Sequence, residues 1–180
     1  MHSPTALAFA AALFGTQAIA SFNDTNPYQN LPKCKVTPSD AAWPSIQDWA
    51  SLNASIDGTL LRSRPAASSC YPGNPFGSPD TCVEVQAGWA LSSFHAELPE
   101  SVNYFLWANN SCMPPNVSSY DTSSGCHIGA YPQYIVNVTK AEQIATALKW
   151  ATSKNIRVIV KGTGHDLNGR LVKKLVIPLF

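Results

Sequence analysis

Residues 134–160 spell a strand, a capped helix and a second strand, and that order leaves few folds open to the chain. Tyr134-Ile135-Val136-Asn137-Val138 is apolar and β-branched, so it reads as a strand over 134–138. Thr139 suits a helix N-cap, with Glu142 three residues on to complete a capping box. Ala141, Ile144, Ala145, Leu148 and Ala151 then follow the i, i+3, i+4, i+7 rule, which predicts a helix over 140–153 with that face inward. Asn155 stands where a left-handed C-cap is wanted, and Arg157 to Val160 is the next strand, 157–160. A strand, a crossover helix and a strand form a βαβ unit, whose two strands run parallel.

The second strand breaks into Lys161-Gly162-Thr163-Gly164-His165-Asp166-Leu167-Asn168-Gly169-Arg170. Glycines directly after a strand let backbone N–H groups converge on an anion. Open α/β sheets place ligands at this end of their strands. A tight turn carrying a surface His is the plain alternative. The loop lacks the GK[ST] ending of a Walker loop and the third glycine of a dinucleotide fingerprint. It has too few carboxylates for a calcium loop, and the chain holds no G-x-S-x-G elbow.

The rest of the chain is differently made. At 180 residues it fits one domain with or without an appendage. Its charged content of 13% is low and its net charge of +1 supplies no field to recruit nucleic acid or anionic lipid. Most of the 14 prolines and 10 glycines precede residue 135, so irregular structure is expected there. A short helix is expected from Pro44 to about Asn53, with Pro44 at the first helical position. A short strand follows at Thr59 to Arg62, then a second helix from Ser78-Pro79-Asp80 to about Ser93, with Cys82, Val85 and Trp89 on one face.

The N-terminus has the form of a secretory signal over 1–20. An apolar run, Ala6 to Phe14, precedes the small-x-small pattern Ala18-Ile19-Ala20, so the mature chain is expected to begin at Ser21; the run is too short for a membrane span. Asn-x-Ser/Thr acceptors for glycosylation occur at Asn23, Asn53, Asn109, Asn116 and Asn137. The five cysteines, Cys34, Cys70, Cys82, Cys112 and Cys126, form no C-x-x-C pair, so no metal site is assigned. Two disulfides and one leftover thiol are expected, in one of about 15 arrangements. At least one bridge is placed among Cys34, Cys70, Cys82 and Cys112, and Cys126, beside the βαβ unit, is taken as the unpaired thiol.

Taken together, Cys126-His127-Ile128-Gly129-Ala130-Tyr131-Pro132, the strand and capped helix, and Val160-Lys161-Gly162-Thr163-Gly164-His165-Asp166 with Gly169-Arg170 resemble the fungal branch of the berberine-bridge-enzyme-like, vanillyl-alcohol-oxidase-type flavoproteins. Trp43-Pro44-Ser45, Asp57-Gly58-Thr59-Leu60 and Asn110-Ser111-Cys112 support the resemblance, which covers roughly 34 to 170. It implies an α+β fold, the N-terminal part of a PCMH-type FAD-binding domain. The division expected is a signal over 1–20, an irregular Cys/Pro-rich region over 21–125, the start of the FAD-binding domain over 126–170, and an aberrant tail over 171–180. The resemblance also implies FAD as cofactor, with Gly162, Thr163, Gly164, His165 and Asp166 around its pyrophosphate and His165 bonded to the flavin. The substrate would be a small alcohol, sugar or secondary metabolite. No catalytic residue, nucleic-acid partner, membrane partner or oligomeric state is assigned. The tail, Leu171 to Phe180, does not follow the family pattern, so the chain is expected to be a truncated, inactive form of a secreted oxidoreductase. Two other readings stand beside it: a non-catalytic, disulfide-containing secreted glycoprotein, and a hydrolase using His95 or His165 with an acid.

Overall fold

The computed structural model describes residues 34–165, 168 and 169, and the backbone of 177–179. The signal region, Asn23, Asp166, Arg170 and most of the tail lie outside the described residues.

Four short strands form a mixed sheet: β1 (Leu60–Arg62), β2 (Tyr134–Val136), β3 (Val158–Val160) and β4 (Ile177–Leu179). Their order is β1-β2-β4-β3. β1 is antiparallel to β2, with Leu60, Leu61 and Arg62 opposite Val136, Ile135 and Tyr134. β4 runs parallel to both β2 and β3, so the strands of the βαβ unit are parallel to each other but have β4 inserted between them. Part of the tail therefore serves as a central strand.

One face of the sheet is covered by α1 (Ile46–Ser55) and α4 (Ala141–Ser153). Trp49, Leu52 and Ile56 meet Val136, Ala147, Ala151 and Ile156 in a common core. Trp49 is its centre: its ring stacks on Tyr134 at 4.0 Å and lies 4.6 Å from that of Trp150. Aromatic groups of this size contribute a large share of the apolar surface removed from water.

The ends of these helices follow local chemistry, with several departures from expectation. Ser45, not Pro44, ends the approach to α1: its hydroxyl accepts from the Asp48 N–H while the Asp48 carboxylate accepts from the Ser45 N–H, a complete capping box. At α4 the reaching residue is Gln143 rather than Glu142. Its Oε1 accepts from the N–H groups of Thr139 and Lys140, and its Nε2 donates to the Ile56 carbonyl. These bonds bury Gln143 and rotate the helix away from the face expected. Gln143, Ala147 and Ala151 are buried, whereas Ile144 and Leu148 are exposed. The C-terminal end is as expected. Asn155 takes the left-handed conformation, its N–H donates to the Thr152 carbonyl, and the Ile156 N–H donates to that of Ala151. That pair of bonds is a Schellman motif.

The Pro/Gly-rich segment has its own core of Ala66, Ala67, Tyr71, Val85, Trp89, Met113 and the half-cystines Cys112 and Cys126. Two disulfides, Cys70–Cys82 and Cys112–Cys126, hold it together. Cys126 is thus paired, and the free thiol is the exposed Cys34. Spacing could not distinguish these partners, because each disulfide needs Cα atoms brought within a few ångströms by the fold. The single helix expected to reach Ser93 is two helices, α2 (Cys82–Gly88) and α3 (Ser92–Glu97). The break lies where the Phe94 ring packs over Gly88, so closely that a Cβ there would sit 2.5 Å from it. Among the described residues, no helix is long and apolar enough to cross a membrane.

Candidate functional site

The glycine loop leaves the C-terminal end of β3, and its root is held by a buried cation. Lys161 is 5% exposed, and its Nζ donates to the carbonyls of Leu98 at 2.9 Å, His95 at 3.3 Å and Ala96 at 3.4 Å. The ammonium so caps the C-terminal end of α3, where carbonyls lack helical partners. Burial pulls the Lys161 amine down to about 8, against the favourable charge of the neighbouring Glu100. Burial in turn pushes the Glu100 carboxyl up to about 7.

The two glycines of the loop differ. Gly164 has φ +83°, and a Cβ there would meet the Lys161 Cε at 2.9 Å, so backbone conformation and packing both require glycine. Gly162 has neither constraint: a Cβ there would meet nothing within 4 Å. Gly162, Thr163 and His165 are exposed while Gly164 is buried. The N–H groups of Thr163, Gly164 and His165 have no acceptor among the described residues. Beyond the loop, Gly169 takes φ +66° and lies against the Trp107 ring, where a Cβ would come within 2.6 Å.

The His165 ring meets a residue no motif had marked. The Asn103 side-chain amide is within hydrogen-bonding reach of its Nδ1, and the same Nδ2 donates to the Ser92 hydroxyl at 3.1 Å. Asn103 belongs to the irregular segment after α3. Its separation from His165 by 62 positions hid the pairing from any local pattern.

The other two described histidines make structural contacts. His95 is buried; its Nε2–H donates to the Trp89 carbonyl at 2.7 Å, and its Nδ1 accepts from the Ser101 hydroxyl at 2.6 Å. Both nitrogens are used and neither meets a carboxylate, so no hydrolytic dyad forms there. Burial lowers the His95 imidazole below its ordinary value. His127 is exposed and donates from Nε2 to the Ser124 carbonyl. A cleft of about 320 Å³ opens between β1, β2 and the 98–100 segment, lined by Leu61, Arg62, Arg64, Glu100 and Ile135 among others. No residue of the glycine loop lines it.

No protein-family model matches the sequence. The VAO-type flavoprotein oxidase VAO615 of Thermothelomyces thermophilus is 38% identical over 180 residues, 98% of this chain and 30% of that protein. The crystal structure of the VAO-type flavoprotein MtVAO615 from Myceliophthora thermophila superimposes with a TM-score of 0.73 and 41% identity, over 82% of this chain and 26% of that one. The chain is a homologue of the VAO-type flavoproteins. A second member, MtVAO713 from the same organism, gives a TM-score of 0.72 at 34% identity over 83% of this chain and 26% of its own. The FAD-linked oxidoreductase apf9 of Gibberella fujikuroi is 38% identical over 137 residues, 76% of this chain and 22% of that protein. The chain thus spans less than a third of the length of these relatives.

Proposed function

We propose that this chain supplies the pyrophosphate loop and the flavin attachment residue of an FAD-dependent oxidoreductase. The observation that carries the reading is the loop itself. Gly164 is locked in a left-handed conformation at the end of β3, Gly162 faces open space, and the intervening N–H groups lack acceptors among the described residues. Such a nest suits an anion, and the missing Cβ at Gly162 leaves room for close approach. Gly162, Thr163, Gly164, His165 and Asp166 would hold the FAD pyrophosphate. The exposed His165 imidazole would hold the flavin through a covalent bond. FAD, when bound, supplies the hydride-accepting chemistry. The chain's residues bind it, fix its phosphates and keep it from being lost to the medium.

Secretion belongs to the same proposal. It is supported by the signal pattern and by two disulfides, which persist in oxidising compartments. Asn109, Asn116 and Asn137 are exposed acceptors, while Asn53 is half-buried in α1 with its Oδ1 accepting from the Leu60 N–H. Glycans are therefore expected at the first three before Asn53. The substrate proposed is a small molecule, an alcohol, a sugar or a secondary metabolite.

The test is a chimera in which residues 34–170 replace the matching segment of the oxidase VAO615. The chimera should be yellow after acid precipitation. Its tryptic peptide from Gly162 to Arg170 should carry the mass of the flavin, and His165→Ala should remove that adduct. A yellow chimera whose Gly162–Arg170 peptide is unmodified would overturn the attachment.

A further inference from the structure

We infer that Asn103 is the positioning residue for His165: it fixes the ring and decides which of its nitrogens carries the proton. The inference rests on the reading of His165 as the attachment residue. Three observations place Asn103 in that role. Its Nδ2 faces the His165 Nδ1 and also donates to the Ser92 hydroxyl at 3.1 Å, so both N–H bonds of the amide are committed and its plane is set from two sides. Its Oδ1 is buried and has no partner among the described residues, so the amide is enclosed rather than swinging in solvent. The segment that carries it is bolted to the glycine loop. Lys161 Nζ holds the Leu98 carbonyl at 2.9 Å, and the Gly164 Cα lies so close to Ser101 that a Cβ would reach its carbonyl oxygen at 3.5 Å.

The chemical consequence follows from the direction of the hydrogen bond. An amide N–H aimed at Nδ1 requires a lone pair there, so the neutral ring carries its proton on Nε2. A ring nitrogen with a lone pair is a nucleophile and a protonated one is not, so in this tautomer a bond at Nδ1 displaces the Asn103 hydrogen bond and a bond at Nε2 requires loss of its proton; the tautomer sets which of the two His165 must do. A small misplacement of a reacting group is costly, up to about 10²-fold in rate for about 1 Å. Holding the ring from 62 positions away in sequence meets that need while leaving the loop glycines open to a ligand.

The test uses the 180-residue chain without flavin, so its outcome is separable from that of the attachment experiment. Imidazole ¹⁵N resonances report the tautomer directly, with His165 assigned by its loss in His165→Gln. The wild-type ring should show a non-protonated Nδ1 and a protonated Nε2. Asn103→Asp replaces the donor with an acceptor of the same shape. It should move the proton to Nδ1, from which the ring donates to the carboxylate. Asn103→Ala should give a mixture of tautomers. A wild-type ring protonated at Nδ1 overturns the inference without recourse to any variant, and so does a tautomer unchanged in both variants. If the tautomer behaves as stated while the Gly162–Arg170 peptide of the chimera stays unmodified, Asn103 positions His165 and the attachment reading fails alone.

Discussion

Two glycines separated by one residue make different demands at the residue scale, and a pair of alanine substitutions separates them. At Gly164 an alanine meets a left-handed φ and the Lys161 side chain together. Such strain costs about 1–3 kcal/mol. Gly164→Ala should therefore lower the urea midpoint of the flavin-free chain by a corresponding amount. Gly162→Ala should leave that midpoint within about 0.5 kcal/mol, as ordinary surface changes do, and harm only cofactor retention in the chimera. Equal destabilisation by both would contradict the distinct roles assigned to them. The turn from β3 into a glycine loop was legible in the sequence because strand, glycines and His are contiguous. Lys161 was visible only as part of the motif, since nothing local says that its ammonium caps α3. Asn103 was not visible, because its partner is brought to it by the fold alone.

Among the elements, legibility followed the range of the forces involved. β2, α4 and β3 were readable from periodicity, and Asn155 at the end of α4 from its tolerance of the left-handed region. The inward face of α4 was misjudged because hydrogen bonds to Ile56 and to the helix start bury Gln143 at the expense of Ile144 and Leu148. The helix break after Gly88 is set by the Phe94 ring, a contact of the folded chain. The disulfides were beyond sequence spacing for the same reason. Their pairing leads to a direct expectation. Non-reducing peptide maps of the purified protein should show Cys70 linked to Cys82 and Cys112 to Cys126, with Cys34 alone open to alkylation. Each bridge closes a loop of a dozen or so residues, with sequence separations of 12 and 14. A loop of that size contributes about 3 kcal/mol. Replacing Cys112 and Cys126 by serine should lower stability by about that amount, and a map that links Cys126 to nothing would refute the assignment.

For the whole molecule, pH acts through three groups around the root of the loop, the buried His95 and Lys161 and the half-buried Glu100, and their signs differ. Glu100 is raised to about 7, so the folded state binds its proton more tightly than the unfolded one. Its contribution is complete below about pH 4.5 and is lost as pH rises through about 7. His95 is lowered by burial, so its contribution grows as pH rises towards its ordinary value. Lys161, lowered to about 8, adds stability as pH rises from that value towards its unfolded one and keeps it above. The raw stability curve is therefore a sum of opposed slopes, and Glu100→Gln isolates one of them. The variant's stability relative to wild type should rise as pH is taken from 5 to 7.5 in urea unfolding. A difference that does not vary with pH would show that Glu100 is solvated.

The strand order has a further consequence, for the chain as it is made. Among the described residues β3 has its neighbour in β4 alone, and β4 parts it from β2. A ribosome that has just released Val160 and the glycine loop has delivered a strand with no ladder to join. Its backbone groups stay paired to water until residues 177–179 emerge. Helices α1 and α4 can dock on β1 and β2 before then, and Lys161 can reach the carbonyls that end α3, but the strand from which the loop of His165 leaves joins the sheet only when β4 inserts. In a chain that enters the secretory pathway, this makes the glycine loop the late-maturing part. Quality-control proteases and chaperones would then meet it while the disulfide-linked half is already closed.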